Sequence, residues 1–224
     1  MTPNGLLLGA FGPGPAPRPR IGLLGGSFNP AHAGHRHISQ WALRRLGLDE
    51  VWWLVSPQNP LKPRSGMADL AGRVQAARAA ARDRRIRVGP LEGLLGTVYT
   101  VDTVSRLGRA FPRVRFVWLM GADNLGQIGR WQGWTRIFHT LPIAVLDRPT
   151  YSLRVTAGQA ARRFARFRRP PRMARSLANA TPPAWLLVRG RRHPASASAI
   201  RAKVRTSKAI RAKPRTTKGG RAHT

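Results

Sequence analysis

The stretch Gly25-Gly26-Ser27-Phe28-Asn29-Pro30-Ala31-His32-Ala33-Gly34-His35 comes directly after the apolar run Ile21 to Leu24. Together they confine this part of the chain to a short strand, a glycine turn and a helix beginning near His35. Such a unit aims backbone N–H groups at one point. Here two imidazoles share that point, which is what a polyphosphate requires. His32 and His35 stand at i,i+3 spacing, so both rings lie near one face of a turn and can donate to phosphate oxygens as charge builds on them. Zinc is a poorer fit, because the chain has no cysteine and no nearby carboxylate completes a ligand set. No side-chain metal ligand is assigned.

The same alternation continues along the chain. Val51 to Val55, Ile86 to Val88, Val114 to Met120, Ile143 to Leu146 and Trp185 to Val188 read as further strands. Gly34 to Leu46, Met67 to Asp83, Thr100 to Ala110 and Trp131 to Phe138 read as helices, with Pro57 to Pro63 a loop and one more helix between loops in 151–183. Strands alternating with helices predict an α/β protein with a Rossmann-like, doubly wound parallel sheet, in which ligands bind beyond the carboxyl ends of the strands. The Gly25 turn and the turn from Gly121 to Asn124 both fall at that end. At 224 residues the chain can bury one core of ordinary size, so a single domain is expected. Its expected limits are 20–206. Residues 1–19 are dense in glycine and proline and read as a disordered leader, and 207–224 as a basic, disordered tail.

The formal net charge is +32, from 40 Lys and Arg against 8 Asp and Glu, which favours polyanionic partners. Charge of this kind fixes the sign of a partner and not its identity. Before residue 200 the only lysine is Lys62, so much of the charge is arginine on solvated faces. Residues 199–208, AIRAKVRTSK, recur as 209–218, AIRAKPRTTK. This lysine-rich repeat would bind nucleic-acid phosphates with a steep salt dependence as a secondary property. The lack of cysteine excludes disulfides and is compatible with a cytoplasmic location. No apolar run approaches the roughly 20 residues that span a bilayer, and Met1 to Arg20 has no basic region ahead of its apolar stretch, so neither a membrane partner nor a signal peptide is expected.

The segment GGSFNPAHAGH resembles the first signature of the nucleotidylyltransferase superfamily, a glycine turn with Ser or Thr and Phe followed by His-x-Gly-His. The second signature of that superfamily is Ser/Thr-rich, ends in Ile-Arg and sits near the C-terminus at a helix start. Ser196-Ala197-Ser198-Ala199-Ile200-Arg201 matches it. Hydroxyls and N–H groups at a helix start, with a guanidinium fork, can clamp the β- and γ-phosphates of a triphosphate. The repeat makes a second Ala-Ile-Arg at Ala209 to Arg211, but Lys208 stands there in place of the Ser198 hydroxyl, so Arg201 is preferred.

Between these signatures the chain resembles the nicotinate-mononucleotide adenylyltransferases. Gly121-Ala122-Asp123-Asn124-Leu125 with Trp131 is similar to that family's central pattern, and Tyr99-Thr100-Val101-Asp102-Thr103 to its Tyr-Thr-x-x-Thr helix start. Asn59-Pro60-Leu61-Lys62 falls where many members carry Pro-His-Lys or Pro-His-Arg. Leu61 departs from that histidine, and Lys62 is left as a phosphate partner.

The resemblance implies transfer of the adenylyl group of ATP to nicotinate mononucleotide, giving deamido-NAD and pyrophosphate, with Mg²⁺ bridging phosphate oxygens. His32 and His35 would act on the α-phosphate and the departing pyrophosphate. Gly25, Gly26, Ser27 and Phe28 would let the backbone approach the nucleotide. Asp123 would accept hydrogen bonds from ribose or adenine, while Ser196, Ser198, Ile200 and Arg201 form the triphosphate clamp. Trp131 would stack on the pyridine ring, its carboxylate held by Thr100 and backbone N–H groups, with Tyr99 also at the mononucleotide. The alternatives are another acceptor, nicotinamide mononucleotide or phosphopantetheine, and a basic nucleic-acid-binding protein on the same fold.

Overall fold

Apolar residues on successive strands alternate between two sides, and the chain buries both sides under helices. The computed structural model describes residues 11–12, 18–57, 67–146 and 157–188. Lys62, Ser196, Ser198, Ile200, Arg201, the repeat and most of the 1–19 leader lie outside the described residues.

The strands are β1 (Arg20–Gly26), β2 (Glu50–Val55), β3 (Ile86–Gly89), β4 (Arg115–Gly121), β5 (Ile143–Leu146) and β6 (Trp185–Val188). Among the described residues they form one six-stranded sheet in the order β3-β2-β1-β4-β5-β6. Every pairing is parallel, with Leu23 opposite Trp52 on one side of β1 and opposite Trp118 on the other. This is the Rossmann-like sheet expected, and the order reverses between β1 and β4, where such folds place their ligands.

The helices are α1 (Ala33–Arg45), α2 (Leu70–Ala81), α3 (Leu91–Leu95), α4 (Thr100–Ala110), α5 (Ala122–Gln127), α6 (Trp134–Thr140) and α7 (Gln159–Arg163), with 3-10 turns at Ile128–Arg130, Ala165–Phe167 and Pro171–Asn179. Ile21, Leu23, Trp52, Leu54, Trp118 and Met120 point to one face and pack with Leu91, Val104, Leu107, Leu125 and Phe138. Leu24, Val51, Trp53, Val55, Val117 and Leu119 point to the other, under Trp41, Leu43, Val74, Ala77 and Leu177. The period of two along each strand is what sends neighbours to opposite cores.

The structure departs from the expectations in five places, the first being that the turn expected from Gly121 to Asn124 runs straight into the helix α5. The helix expected over Trp131 to Phe138 starts at Trp134, because Gly133 takes φ +59 and breaks the chain direction after the 3-10 turn. The described part of 151–183 folds as α7 and two 3-10 turns instead of one helix. A short helix, α3, follows β3 where none was expected. Lastly, Phe11, placed by the sequence reading in a disordered leader, is buried in the core, its ring 5.0 Å from that of Trp52. Gly89 makes the room: a Cβ there would come within 2.8 Å of the Phe11 ring.

Candidate active site

The carboxyl end of β1 and the amino end of α1 meet in the glycine turn. Gly25 lies with its α-carbon against Trp118, and an added Cβ would come within 2.7 Å of that ring, so the strand can pass there only as glycine. Phe28 then takes φ 45, a left-handed backbone rarely adopted by a bulky residue. Packing holds it there. Its ring is stacked 5.0 Å over Trp53 and 4.7 Å from the His35 ring, and it is buried. The Phe28 side chain is therefore a core group beneath the site.

The two histidines form a reciprocal capping box at the start of α1. The Gly34 N–H donates to His32 Nδ1 at 3.1 Å, and the His32 N–H donates to His35 Nδ1 at 3.2 Å. Their rings lie 3.9 Å apart. With each Nδ1 an acceptor, a neutral ring carries its proton on Nε2. Ser39 fixes the helix behind them. Its hydroxyl accepts from the Trp53 indole N–H at 2.7 Å and donates to the His35 carbonyl at 2.9 Å.

Arg73, on α2, is 3% exposed and reaches across to the same turn. Its guanidinium donates to the carbonyls of Ser27 and Ser56 at 2.7 Å, Pro57 at 3.0 Å and Ala68 at 2.9 Å. One cation thereby ties the ends of β1 and β2 to the start of α2. Sequence reasoning missed it, since nothing distinguishes it there from the solvated arginines of the same helix.

Beside the turn, on the face covered by α3, α4 and α5, lies a cavity of about 280 Å³. Gly25, Gly26 and Ser27 form one wall, and Tyr99, Thr100 and Trp131 another. The structure thus brings together two groups of residues that the sequence reading singled out separately. Trp131 lines the cavity edge-on to Trp118, at 6.4 Å between ring centroids, whereas Trp134 packs against Phe138 and Phe164. Asp123 sits in the first turn of α5, and it is the neighbouring Asn124 that lines the cavity. His32 and His35 are not among the lining residues; they stand at the other end of the glycine turn.

The two lining residues with acidic or basic side chains, Arg130 and Glu92, were not singled out by the sequence reading. Arg130 comes from the 3-10 turn before Trp131. Glu92, on α3, is 6% exposed, and among the described residues its Oε2 has no hydrogen-bond partner. Burial pushes its carboxyl up to about 7, with a hydrogen bond from the Ser56 side chain pulling partly the other way.

A family model described as cytidylyltransferase-like matches residues 23–203. The probable nicotinate-nucleotide adenylyltransferase of a Bradyrhizobium species is 52% identical over 182 residues, covering 81% of this chain and 95% of that protein. The protein of the same name from Methylorubrum extorquens is 50% identical over 184 residues, covering 82% and 100%. The fold also matches the solved Plasmodium falciparum nicotinic acid mononucleotide adenylyltransferase complexed with NaAD, with TM-score 0.63 at 14% identity over 82% of this chain and 83% of that one. Shared identity of this extent, over nearly the whole length of those relatives, places the chain in the nicotinate-nucleotide adenylyltransferase family of cytidylyltransferase-like nucleotidyltransferases.

Proposed function

We propose that the protein transfers the adenylyl group of ATP to nicotinate mononucleotide, forming deamido-NAD and pyrophosphate, in the cytoplasm. One observation carries the reading at this site. A paired-histidine cap and a cavity bearing Tyr99, Thr100 and Trp131 share the glycine turn at the point where strand order reverses. In this scheme a phosphate oxygen of the mononucleotide attacks the α-phosphorus of ATP in line, and the bond to the pyrophosphate oxygen breaks on the opposite side. That oxygen is already ionised at neutral pH, so no side-chain nucleophile and no covalent intermediate are required. Catalysis is positioning and charge neutralisation. The Nε2–H groups of His32 and His35 would donate to the α-phosphate and the leaving pyrophosphate, while Gly25, Gly26 and Ser27 bring backbone to the nucleotide. Asp123 would accept from ribose or adenine.

Lys62, Ser196, Ser198, Ile200 and Arg201 are proposed as the triphosphate clamp on the strength of their motifs. Magnesium would enter as the ATP complex, carried on phosphate oxygens as this cation prefers. Trp131 would stack on the pyridine ring, with Thr100 at its carboxylate.

The test is pyrophosphate release with ATP and each acceptor in turn: nicotinate mononucleotide, nicotinamide mononucleotide and phosphopantetheine. The acid mononucleotide should support the fastest turnover. Silence with all three would overturn the enzyme reading, and preference for phosphopantetheine would overturn the acceptor. Trp131→Ala should raise KM for the mononucleotide about tenfold, the equivalent of ~1.4 kcal/mol of lost stacking and burial, with KM for ATP little changed. Equal effects on both substrates would remove Trp131 from the pyridine site.

A further inference from the structure

Glu92 is a buried carboxyl in the wall of a cavity meant for an anion, and the chemistry proposed above gives it no role. Among the described residues, the only other acidic or basic side chain lining that cavity is Arg130. An ionised carboxylate in this low-dielectric wall would repel a mononucleotide bearing a phosphate and a ring carboxylate, and it would offset Arg130.

We propose that Glu92 is a specificity-determining residue that holds a proton whenever the anionic mononucleotide is bound, so that the pocket accepts the acid in preference to the amide only while Glu92 is neutral. This inference rests on the nicotinate reading of the cavity and deepens it.

The surroundings supply little to reverse the effect. Helix α3 packs on β2 and α4. Strand β2 presents no titratable side chain from Val51 to Val55, its one acid, Glu50, standing at the opposite end and paired with Arg87. Helix α4 carries Asp102, Arg106 and Arg109, and Arg106 turns its guanidinium onto the Leu95 carbonyl. Tyr99 and Arg130 complete the ionisable groups at the cavity among the described residues. The Ser56 side chain is a hydrogen-bond partner of the carboxyl, and among the described residues Oε2 is sealed from solvent with none. Such a site suits a neutral acid and not an anion. With the free carboxyl titrating at about 7, the fraction of enzyme able to bind the acid falls as pH rises through that value.

The experiment measures KM for nicotinate mononucleotide, and for the amide, in the full-length enzyme between about pH 6.5 and about 8.5. In the wild type, KM for the acid should rise about 25-fold across that range, the limit set by a strictly protonated wall titrating at about 7, and the ratio of acid to amide kcat/KM should fall with it. In Glu92→Gln, which cannot ionise, KM for the acid should stay flat. The substrate phosphate ionises identically against both enzymes and cancels in the comparison. A flat wild-type ratio, or the same rise in wild type and Glu92→Gln, would overturn the proposal. The wild-type ratio needs no variant, so a Glu92→Gln protein that fails to fold leaves the test intact. No turnover of either mononucleotide would instead defeat the nicotinate reading itself.

Discussion

Replacing His35 by alanine is expected to lower kcat by on the order of a hundredfold or more, the loss typical of one donor aimed at developing charge. Two functions of the side chain must be separated to read that result. His35 is also the N3 member of a capping box, its Nδ1 accepting the His32 N–H at 3.2 Å. Loss of a cap costs about 1 kcal/mol, which alters stability far more than rate. His35→Gln separates the two, because glutamine is a usual N3 partner in such boxes and can keep the backbone bond without an imidazole. The expected outcome is a Gln variant with near wild-type Tm and an Ala-like rate. A near-normal rate in His35→Ala would sink the chemical role, and recovery of the rate in His35→Gln would reduce the residue to a cap.

Arg73→Met should destabilise the protein by about 3 kcal/mol, well beyond the cost of losing the His35 cap, and lower Tm by about 10 °C in a domain of this size. The cost arises less from lost attraction than from what is left behind, because four carbonyls turned toward a buried guanidinium lose their donor. Two of these, on Ser27 and Ser56, belong to the loops that carry the site. Turnover at a temperature where the variant is still folded should therefore fall as well. Arg73→Lys should recover only part of the loss, since an ammonium cannot fork to that many acceptors at fixed angles. Thermal unfolding of the three proteins, with rates measured below the lowest Tm, decides the matter. A Met variant with unchanged Tm would show that the clamp is dispensable.

The strands were legible in the sequence because each is a short apolar run stopped by a glycine, proline or charged turn, and that punctuation survives in the fold. Ile143–Leu146 and Trp185–Val188 stand where the pattern puts them. The glycine turn and histidine pair were legible for a related reason: their chemistry is local, made by residues within one turn of each other. Arg73 was not, because its carbonyl partners come from Ser27, Ser56, Pro57 and Ala68, a set brought together only by packing. Glu92 lay hidden in the five-residue helix Leu91–Leu95, too short to show a period. Trp131, Trp134 and Phe138 keep helical spacing across Gly133, but the backbone of that glycine breaks the helix and leaves Trp131 outside it. Phe11 was passed over in a segment whose glycines and prolines say nothing about the one ring that docks.

The position of β1 in the middle of the sheet also sets an order in time. It leaves the ribosome ahead of every other strand of the described sheet, and it pairs on one side with β2, close behind it. Its other edge stays open until Phe116 to Leu119 have been synthesised to close it, a long-range pairing of the slow kind. Until then the glycine turn has neither Trp118 beneath Gly25 nor the far wall of its cavity. A nascent chain therefore displays the histidine motif long before it can hold a nucleotide, because Trp118 and Trp131, and after them the residues proposed as the triphosphate clamp, all follow it from the ribosome.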